Sequence, residues 1–323
     1  MSEKALRIKS FALSLGFDDV GFAAVDDDLP FTKEVATAAL EGRFGPIDYL
    51  HKNLETRLNV RAQFPEAKSA IVVVKNYYTG DHVDYSEKAS NLPKIARYAW
   101  GKDYHQWFKK KLGLLRSFLE TQNDHSIKVW AFNDTAPVLE RAWAFKAGLG
   151  FLGKSGMFIH RRFGTWTLLG GMFTDLIIQP NEPYQGPDCG SCTRCIDACP
   201  PKAIIRPKMV DANKCISTWT IERPLHPEAF SKAPRNHQWA FGCDICQEVC
   251  PWNKFETKTD EPRFAPLPGR IFLAPETFQQ DLRGSPLYRS KKPGLLANLL
   301  RIQSSLHEPN MKQIMGPRQQ KDL

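Results

Sequence analysis

All eight cysteines of this 323-residue chain fall between positions 189 and 250. The first run reads Cys189-x-x-Cys192-x-x-Cys195-x-x-x-Cys199-Pro200, and the second reads Cys215, then Cys243-x-x-Cys246-x-x-x-Cys250-Pro251. Tight triplets closed by a Cys-Pro wrap thiolates around a cubane iron–sulfur cluster, and in two-cluster arrangements the fourth cysteine of each run crosses to the other cluster. The spacing therefore predicts one cluster on Cys189, Cys192, Cys195 and Cys250 and another on Cys199, Cys215, Cys243 and Cys246. The second run departs from a plain duplication, because its first member has moved back to Cys215 with 27 residues before Cys243. Zinc asks for two separated ligand pairs around one tetrahedral ion, and the first run is too dense for that. A disulfide framework belongs to short secreted chains. This chain is long and opens Met1-Ser2-Glu3-Lys4-Ala5-Leu6-Arg7, with no apolar signal core. Oxygen-sensitive clusters without an export signal predict a reducing cytoplasm.

The cysteine region covers only about a fifth of the chain, so residues 1–180 must supply work for the electrons. The length suits about two domains. A hydrophobic fraction of 42% supports real cores, and no run approaches the roughly 18 to 20 apolar residues of a membrane span. Leu6, Ile8, Phe11, Ala12 and Leu15 predict an amphipathic helix stopped by Gly16, followed by a strand near Val20–Val25. Buried strands are expected over Ala70–Val74 and Ile127–Phe132, and a helix over Trp107–Leu119. A further helix is expected over Pro137–Ala147, started by Asp134/Thr135 and stopped by Gly148. The two glycines in Thr165–Met172 mark a strand that something approaches closely. This alternation predicts an α/β or α+β domain over residues 1–180. A linker at 179–187 leads to a ferredoxin-like two-cluster domain over 181–256, and 257–323 form a basic extension with a short helical tail. From Arg283 onward, Arg283, Arg289, Lys291, Lys292, Arg301, Lys312, Arg318 and Lys321 face only Glu308 and Asp322, within a net charge of +9. Such a segment can contact phosphates or simply be solvated.

Two local patterns lead nowhere. Gly148-Leu149-Gly150-Phe151-Leu152-Gly153-Lys154-Ser155 matches both dinucleotide and phosphate-loop patterns. Those require a strand before and a helix after, and here a helix precedes and a strand-like run, Met157-Phe158-Ile159, follows. The glycines instead allow close approach by a flat ligand or a neighbouring strand. Asp103-Tyr104-His105 starts like a cobalt-ligating D-x-H-x-x-G signature, but the glycine is missing, so His105 is not expected to ligate a metal. Asp134 has two readings, an N-cap or an acid at a strand end beside a cofactor face, with a raised pKa suited to giving up a proton.

Taken together, Asn133-Asp134-Thr135-Ala136-Pro137-Val138-Leu139-Glu140-Arg141, Gly148-Leu149-Gly150-Phe151-Leu152-Gly153-Lys154 and the cysteine pattern with Cys215-Ile216-Ser217-Thr218-Trp219-Thr220-Ile221-Glu222 closely resemble the epoxyqueuosine reductase family. Ala96-Arg97-Tyr98-Ala99-Trp100-Gly101-Lys102-Asp103-Tyr104-His105 and Phe241-Gly242-Cys243-Asp244-Ile245-Cys246-Gln247-Glu248-Val249-Cys250-Pro251 extend the likeness to roughly residues 5–300. The resemblance implies a cytoplasmic oxidoreductase that uses cobalamin and two cubane clusters. Its reaction reduces the epoxide on the hypermodified wobble guanine of certain tRNAs, giving queuosine. It implies tRNA and an external low-potential electron donor as partners of a monomeric enzyme. The residues suit that chemistry: turning an epoxide into an alkene takes two electrons and two protons and releases water. Clusters deliver electrons singly, and a corrin cobalt centre can act on carbon.

By position, the resemblance assigns the proton to Asp134. It assigns cobalamin contacts to Arg57, Arg97, Asp134, Lys154, Phe158, Leu169, Ser217, Cys243 and Asp244, with no histidine on the cobalt. Arg57 and Lys154 would donate to amide and phosphate oxygens. Some members of the family carry a helical-repeat domain that this chain is too short to include, which leaves tRNA contact to the catalytic body and the segment around Arg283–Arg289. A reductive dehalogenase, built from the same cofactors, is the rival enzyme class, and a non-catalytic electron carrier or cobalamin chaperone is the rival outside enzymes.

Overall fold

The computed structural model describes residues 1–80, 92–123, 125–222, 233–254, 257–273, 277 and 280–303. In chain order the elements of the first half are α1 (Glu3–Ser14), β1 (Asp19–Ala24), α2 (Thr32–Leu40), α3 (Asp48–Lys52), α4 (Leu54–Leu58), β2 (Ser69–Asn76), β3 (Lys94–Ile95), α5 (Tyr104–Thr121), β4 (Val129–Phe132) and α6 (Glu140–Lys146). Then come β5 (Gly150–Leu152), β6 (Phe158–His160), β7 (Thr167–Thr174), α7 (Arg194–Ala198), β8 (Ile204–Arg206), β9 (Met209–Val210), α8 (Ile216–Ile221), β10 (Trp239–Phe241), α9 (Ile245–Glu248) and α10 (Lys291–Gln303).

The expected strand over Ala70–Val74 becomes β2, the centre of the fold, buried along its whole length. A strand covered on both faces reads as a continuous apolar run because alternate side chains point to opposite layers. Ile71 and Val73 meet α1 and α5 through Ile8, Ala12, Trp107, Phe108 and Leu112. Val72 and Val74 meet α6 through Trp143, Ala144 and Ala147. The sheet order is β1-β2-β7-β4, and every neighbouring pair is antiparallel. Of the two classes expected for this region, the sheet is therefore α+β, and the strand-end rule for parallel sheets has no purchase on Asp134. The strand expected over 127–132 is confined to Val129–Phe132 and is mostly half-exposed, as befits an edge.

The close approach expected at the paired glycines is present in β7. A Cβ on Gly170 would stand 2.6 Å from the Phe108 ring, and one on Gly171 would stand 2.2 Å from the Ile71 carbonyl oxygen. The glycine-rich stretch 148–153 forms the β5–β6 hairpin. There a Cβ on Gly150 would meet the Ile159 carbonyl oxygen at 2.1 Å, so a neighbouring strand accounts for it.

A second core gathers Trp100, Phe241, Leu287, Leu295, Leu299 and Ile302. The i, i+4, i+7 spacing of the last three is an amphipathic helical face, so α10 is packed rather than solvated. Lys75 is 1% exposed, and its Nζ lies 3.2 Å from Asp18 and 2.6 Å from Asp260, joining the sheet to the chain beyond the cysteines. Arg283 pairs with Asp281 at 2.7 Å, and Lys291 and Lys292 are exposed at the start of α10. Lys312, Arg318 and Lys321 lie outside the described residues.

Because the atoms opposing Gly171 are backbone as well as the Phe132 ring, Gly171→Ala must displace β2 or β4. The expected cost is about 1–3 kcal/mol, read as a lowered urea midpoint. An unchanged midpoint would contradict the packing described for β7.

Candidate functional site

The cysteines are free thiols, all half-buried, and they lie close enough to influence one another. Burial, and then the neighbouring Cys189, Cys195 and Cys192, push the Cys250 thiol up to about 11. Burial also raises Cys246, which feels Cys215 and Cys199 on one side and Cys195 on the other. Cys243 is raised well above its ordinary value by burial, with Cys246 and Cys215 adding to it. Thiols so crowded resist joint ionisation, yet only thiolates ligate. Such a donor set accepts its charge when positive metal is held among the sulfurs. Backbone N–H groups are in place beside them, Lys154 N at 3.4 Å from Cys189 Sγ and Ala203 N at 3.3 Å from Cys199 Sγ, an arrangement that tunes cluster potentials. Among the described residues, no three His, Cys, Asp or Glu side chains are grouped so as to hold a single metal ion. A cubane, with one thiolate on each of four irons, asks for a wider cage.

Asp134 is not an N-cap. The helix expected from 137 begins at Glu140, with Leu139 at its cap and no side-chain cap bond. Asp134 sits instead in the loop after β4 with φ 53°, a left-handed conformation that is costly for a non-glycine residue and clusters at functional sites. His105, in the first turn of α5, presents Nε2 to Asp134 Oδ2 at 3.0 Å and Nδ1 to Asp103 Oδ1 at 2.7 Å. Asp103 also caps α5 by accepting from the His105 N–H at 2.9 Å.

The raised pKa expected for Asp134 does not appear. Burial pushes upward, but hydrogen bonds from His105 and Tyr104 and the charges of His105 and Arg289 hold the carboxyl below its ordinary value. Burial opposes the imidazolium, but the hydrogen bonds to Asp103 and Asp134 outweigh it and raise His105 to about 9.

Of four polar groups with unmade bonds, three lie near Asp134. Arg57 Nε, Asn133 Oδ1, Glu140 Oε1 and Thr167 Oγ1 are buried without a hydrogen-bond partner among the described residues. Leaving such a group unsatisfied costs about 1–3 kcal/mol. Arg57 is buried and feels the charges of Glu140, Tyr49 and Asp134. Burial, and then the charge of Asp134, push Glu140 up to about 8 against its own backbone N–H. Leu169 lies beside the loop, its carbonyl accepting from Asn133 Nδ2 at 2.7 Å.

The remaining expected cobalamin-binding residues divide. Arg97 is buried against the Tyr78, Trp100 and Trp166 rings, and its backbone N–H donates to Asp244 Oδ2 at 2.7 Å. Asp244, beside Cys243, is 1% exposed, and burial lifts its pKa to about 6 against the lowering effect of Arg97. Ser217 is half-buried on α8, directly after the Cys215 cap. Lys154 turns to the first cysteine run, Nζ donating to the Gly190 carbonyl at 2.6 Å. Phe158 belongs to the core under α6.

Sequence reasoning missed Glu140, His105, and the grouping of Tyr49 with Glu222 and Arg289. Tyr49 donates to Glu222 at 3.3 Å, and Arg289 pairs with Glu222 while lying 5.4 Å from the Tyr49 ring centroid. Glu140 had a signal, as a carboxylate at the start of a helix whose middle, Ala142-Trp143-Ala144, is buried. His105 had one too, tested only against a metal signature.

Residues 188–253 match the family described as a 4Fe-4S double cluster binding domain, and residues 57–135 match one described as epoxyqueuosine reductase QueG, DUF1730. An epoxyqueuosine reductase of Synechocystis sp. is 41% identical over 75% of this chain and 85% of its own length. Another, from Cellulophaga algicola, is 34% identical over 90% of this chain and 95% of its own length. The solved structure of an epoxyqueuosine reductase with an epoxyqueuosine-modified tRNA-Tyr stem loop superposes with a TM-score of 0.78 at 28% identity, covering 93% of this chain and 81% of that chain.

With four thiols per cage, Cys192→Ser should lower iron in anaerobically reconstituted protein from about eight to about four per chain. Zinc in place of iron and sulfide would contradict the assignment.

Proposed function

The chain belongs to the epoxyqueuosine reductase family, and from that premise we propose that it reduces the epoxide of epoxyqueuosine at the tRNA wobble position to the alkene of queuosine. In this reading the protein is cytoplasmic and monomeric, and draws its electrons from an external low-potential donor. The observation that carries the proposal is Tyr98. Its half-buried ring meets Tyr104 at 6.1 Å, and its hydroxyl feels the charges of Asp134, Glu222 and Asp244 together. One side chain thus lies between the acid and the cysteine cage, the two components that a reductive, proton-consuming reaction needs side by side. No helix among the described residues is long and apolar enough to cross a membrane.

The unmade bonds support cobalamin as the second cofactor. One donor, Arg57 Nε, and two oxygens, Asn133 Oδ1 and Glu140 Oε1, await partners near Asp134 among the described residues. The primary amides at a corrin rim offer both a carbonyl acceptor and N–H donors, so a mixed set of this kind fits them. Bound cobalamin would supply a cobalt centre that takes electrons and acts on carbon. The cysteine cages would hold the clusters that deliver those electrons one at a time. Arg57 and Asn133 would fix the cofactor's orientation, joined by Leu169 through its backbone and by Ser217, Cys243 and Asp244 on the cage side. Arg97 would position Asp244. Lys154, committed to the first cysteine run, would brace that run, and Phe158 would support the cleft from the core. Asp134 would give the proton to the epoxide oxygen as the ring opens.

For the tRNA, the start of α10 supports phosphate binding. Lys291 and Lys292 occupy the first turn of the 13-residue helix, where the macrodipole disfavours cations. Phosphates drawn to that turn would offset both the dipole and the two charges. Arg289 stands next to them and within the field of Asp134.

The test is single turnover of an epoxyqueuosine-bearing stem loop by reconstituted holoenzyme with a low-potential reductant. Wild type should form queuosine, and its failure to do so would overturn the reading. Asp134→Asn should bind cobalamin and the stem loop normally while losing about 10²–10⁴-fold in rate. A fully active Asp134→Asn would place the proton donor elsewhere.

Replacing Arg289, Lys291 and Lys292 together by Ala should weaken stem-loop binding. It should flatten the salt dependence by about 0.7–0.9 log units per log unit of salt for each phosphate that the variant no longer neutralises, with iron content unchanged. An unaltered slope would show that the segment is merely solvated.

A further inference from the structure

We propose that His105 is a positioning residue for this reaction, holding Asp134 through Nε2 and storing the proton that Asp134 passes to the epoxide oxygen. The proposal rests on the function proposed above and on the geometry of three consecutive contacts.

The His105 ring is flanked by two carboxylates, Asp103 Oδ1 at 2.7 Å from Nδ1 and Asp134 Oδ2 at 3.0 Å from Nε2. A neutral imidazole has one N–H and one lone pair. Either tautomer would therefore aim a lone pair at a carboxylate oxygen within hydrogen-bonding distance. Only the imidazolium, with both nitrogens as donors, satisfies both carboxylates. The upward shift of His105 to about 9 and the downward shift of Asp134 point the same way. The ring is held in register by stacking on Tyr104, with centroids 4.1 Å apart. Its side chain is 29% exposed and that of Asp134 60%, so water can recharge the ring while the carboxylate stays open to substrate.

The surrounding charges leave this arrangement intact at neutral pH. Asp103 is held low by the hydrogen bonds and charge of His105, with a further pull from Arg263, all against the upward push of burial. Arg289 steadies the Asp134 carboxylate while pairing with Glu222. Burial raises Tyr49, Tyr98 and Tyr104 and keeps them uncharged. Arg57 carries the remaining positive charge near Asp134. Glu140, raised to about 8, also titrates near neutrality, and it remains in place in every variant used below.

Each proton moves in two transfers. The Nε2–H bond of His105 breaks as an O–H bond forms at Asp134, leaving a neutral imidazole with its Nδ1–H on Asp103. The acid proton of Asp134 then goes to the epoxide oxygen as the carbon–oxygen bond breaks. The electron pair comes from the low-potential reductant through the clusters. Water reprotonates His105, a second proton follows the same route, and the oxygen leaves as water. The totals are two electrons, two protons, one alkene and one water.

The experiment compares reconstituted wild type, His105→Gln and Asp103→Asn in single turnover of the stem loop from pH 5 to 9.5. The ¹³Cε1 resonance of His105 is titrated in labelled wild-type and Asp103→Asn holoenzyme without substrate. The resonance should titrate near pH 9 in wild type and clearly lower in Asp103→Asn, whose asparagine remains a good N-cap and so preserves α5.

Wild-type turnover should hold up to about pH 8 and fall above it. In His105→Gln the proton must sit on Asp134 itself, with an ordinary carboxyl pKa of about 4. Its rate should fall about tenfold per pH unit from near pH 5, over the range where wild type stays level. The Asp103→Asn profile should lie between the two. An imidazole titrating at its ordinary value in wild type would overturn the proposal. So would a His105→Gln profile parallel to wild type, whether equal in height or uniformly lowered, since either would leave the histidine without a stored proton. Absence of turnover in wild type would instead count against the reaction assigned above, while the resonance still reports on the pair.

Discussion

The approach of Cys250 to Cys189, Cys192 and Cys195, and of Cys215 to Cys199, is the constraint on which the active region depends. It brings together two stretches about fifty residues apart, with α7 packed against α9 beside the turn that carries Cys243 and Asp244. Asp244, buried there, accepts the backbone N–H of Arg97. Through that one bond the position of the cages is passed to the 96–105 segment, with Tyr98 and Tyr104 next in line and His105 at its end. The strands β3 and β10 pair in parallel along the same seam, so the link has backbone support as well.

Three ionisable groups in this region have been pushed in different directions by their surroundings. Asp134 is held low, His105 is raised to about 9, and Glu140 is raised to about 8. Two carboxyls on neighbouring segments thus differ in whether they hold a proton at neutral pH. The causes differ as well: an imidazolium sets Asp134, and burial sets Glu140. Pairs of titratable groups driven apart in this way are the usual mark of divided acid–base duties.

Much of this is legible in the amino-acid order. The cysteine spacing marks the double-cluster region at 188–253, because ligand triplets are local in sequence. The apolar run at 70–74 announces the central strand, and the paired glycines of 170–171 announce the tight approach of Phe108 and Ile71. Strand direction is not legible, since a fully buried antiparallel strand and a parallel one show the same apolar pattern. The helix expected from 137 starts later, at Glu140, because Asp134 takes a left-handed backbone that an N-cap does not. The sign of the Asp134 shift depends on a residue 29 positions away, and no periodicity relates the two. The same holds for Arg289 and Glu222, which are brought together only when α10 packs its leucines under Phe241.

Lys75 gives the fold a direction of dependence. Its amine is enclosed at the heart of the sheet and answered by Asp18 before the strand and by Asp260 beyond the cysteines. A buried cation that loses a partner is far costlier than one that was never buried. Asp260 is itself well exposed, at 81%, so the later segment reaches in from the surface to complete a charge balance begun by the sheet. During synthesis the sheet is made first, and the charge of its central strand has Asp18 alone as a partner until the cysteine region and the stretch after it have emerged. The order in which the chain is made thus leaves the core provisional until the region that houses the cages has been delivered.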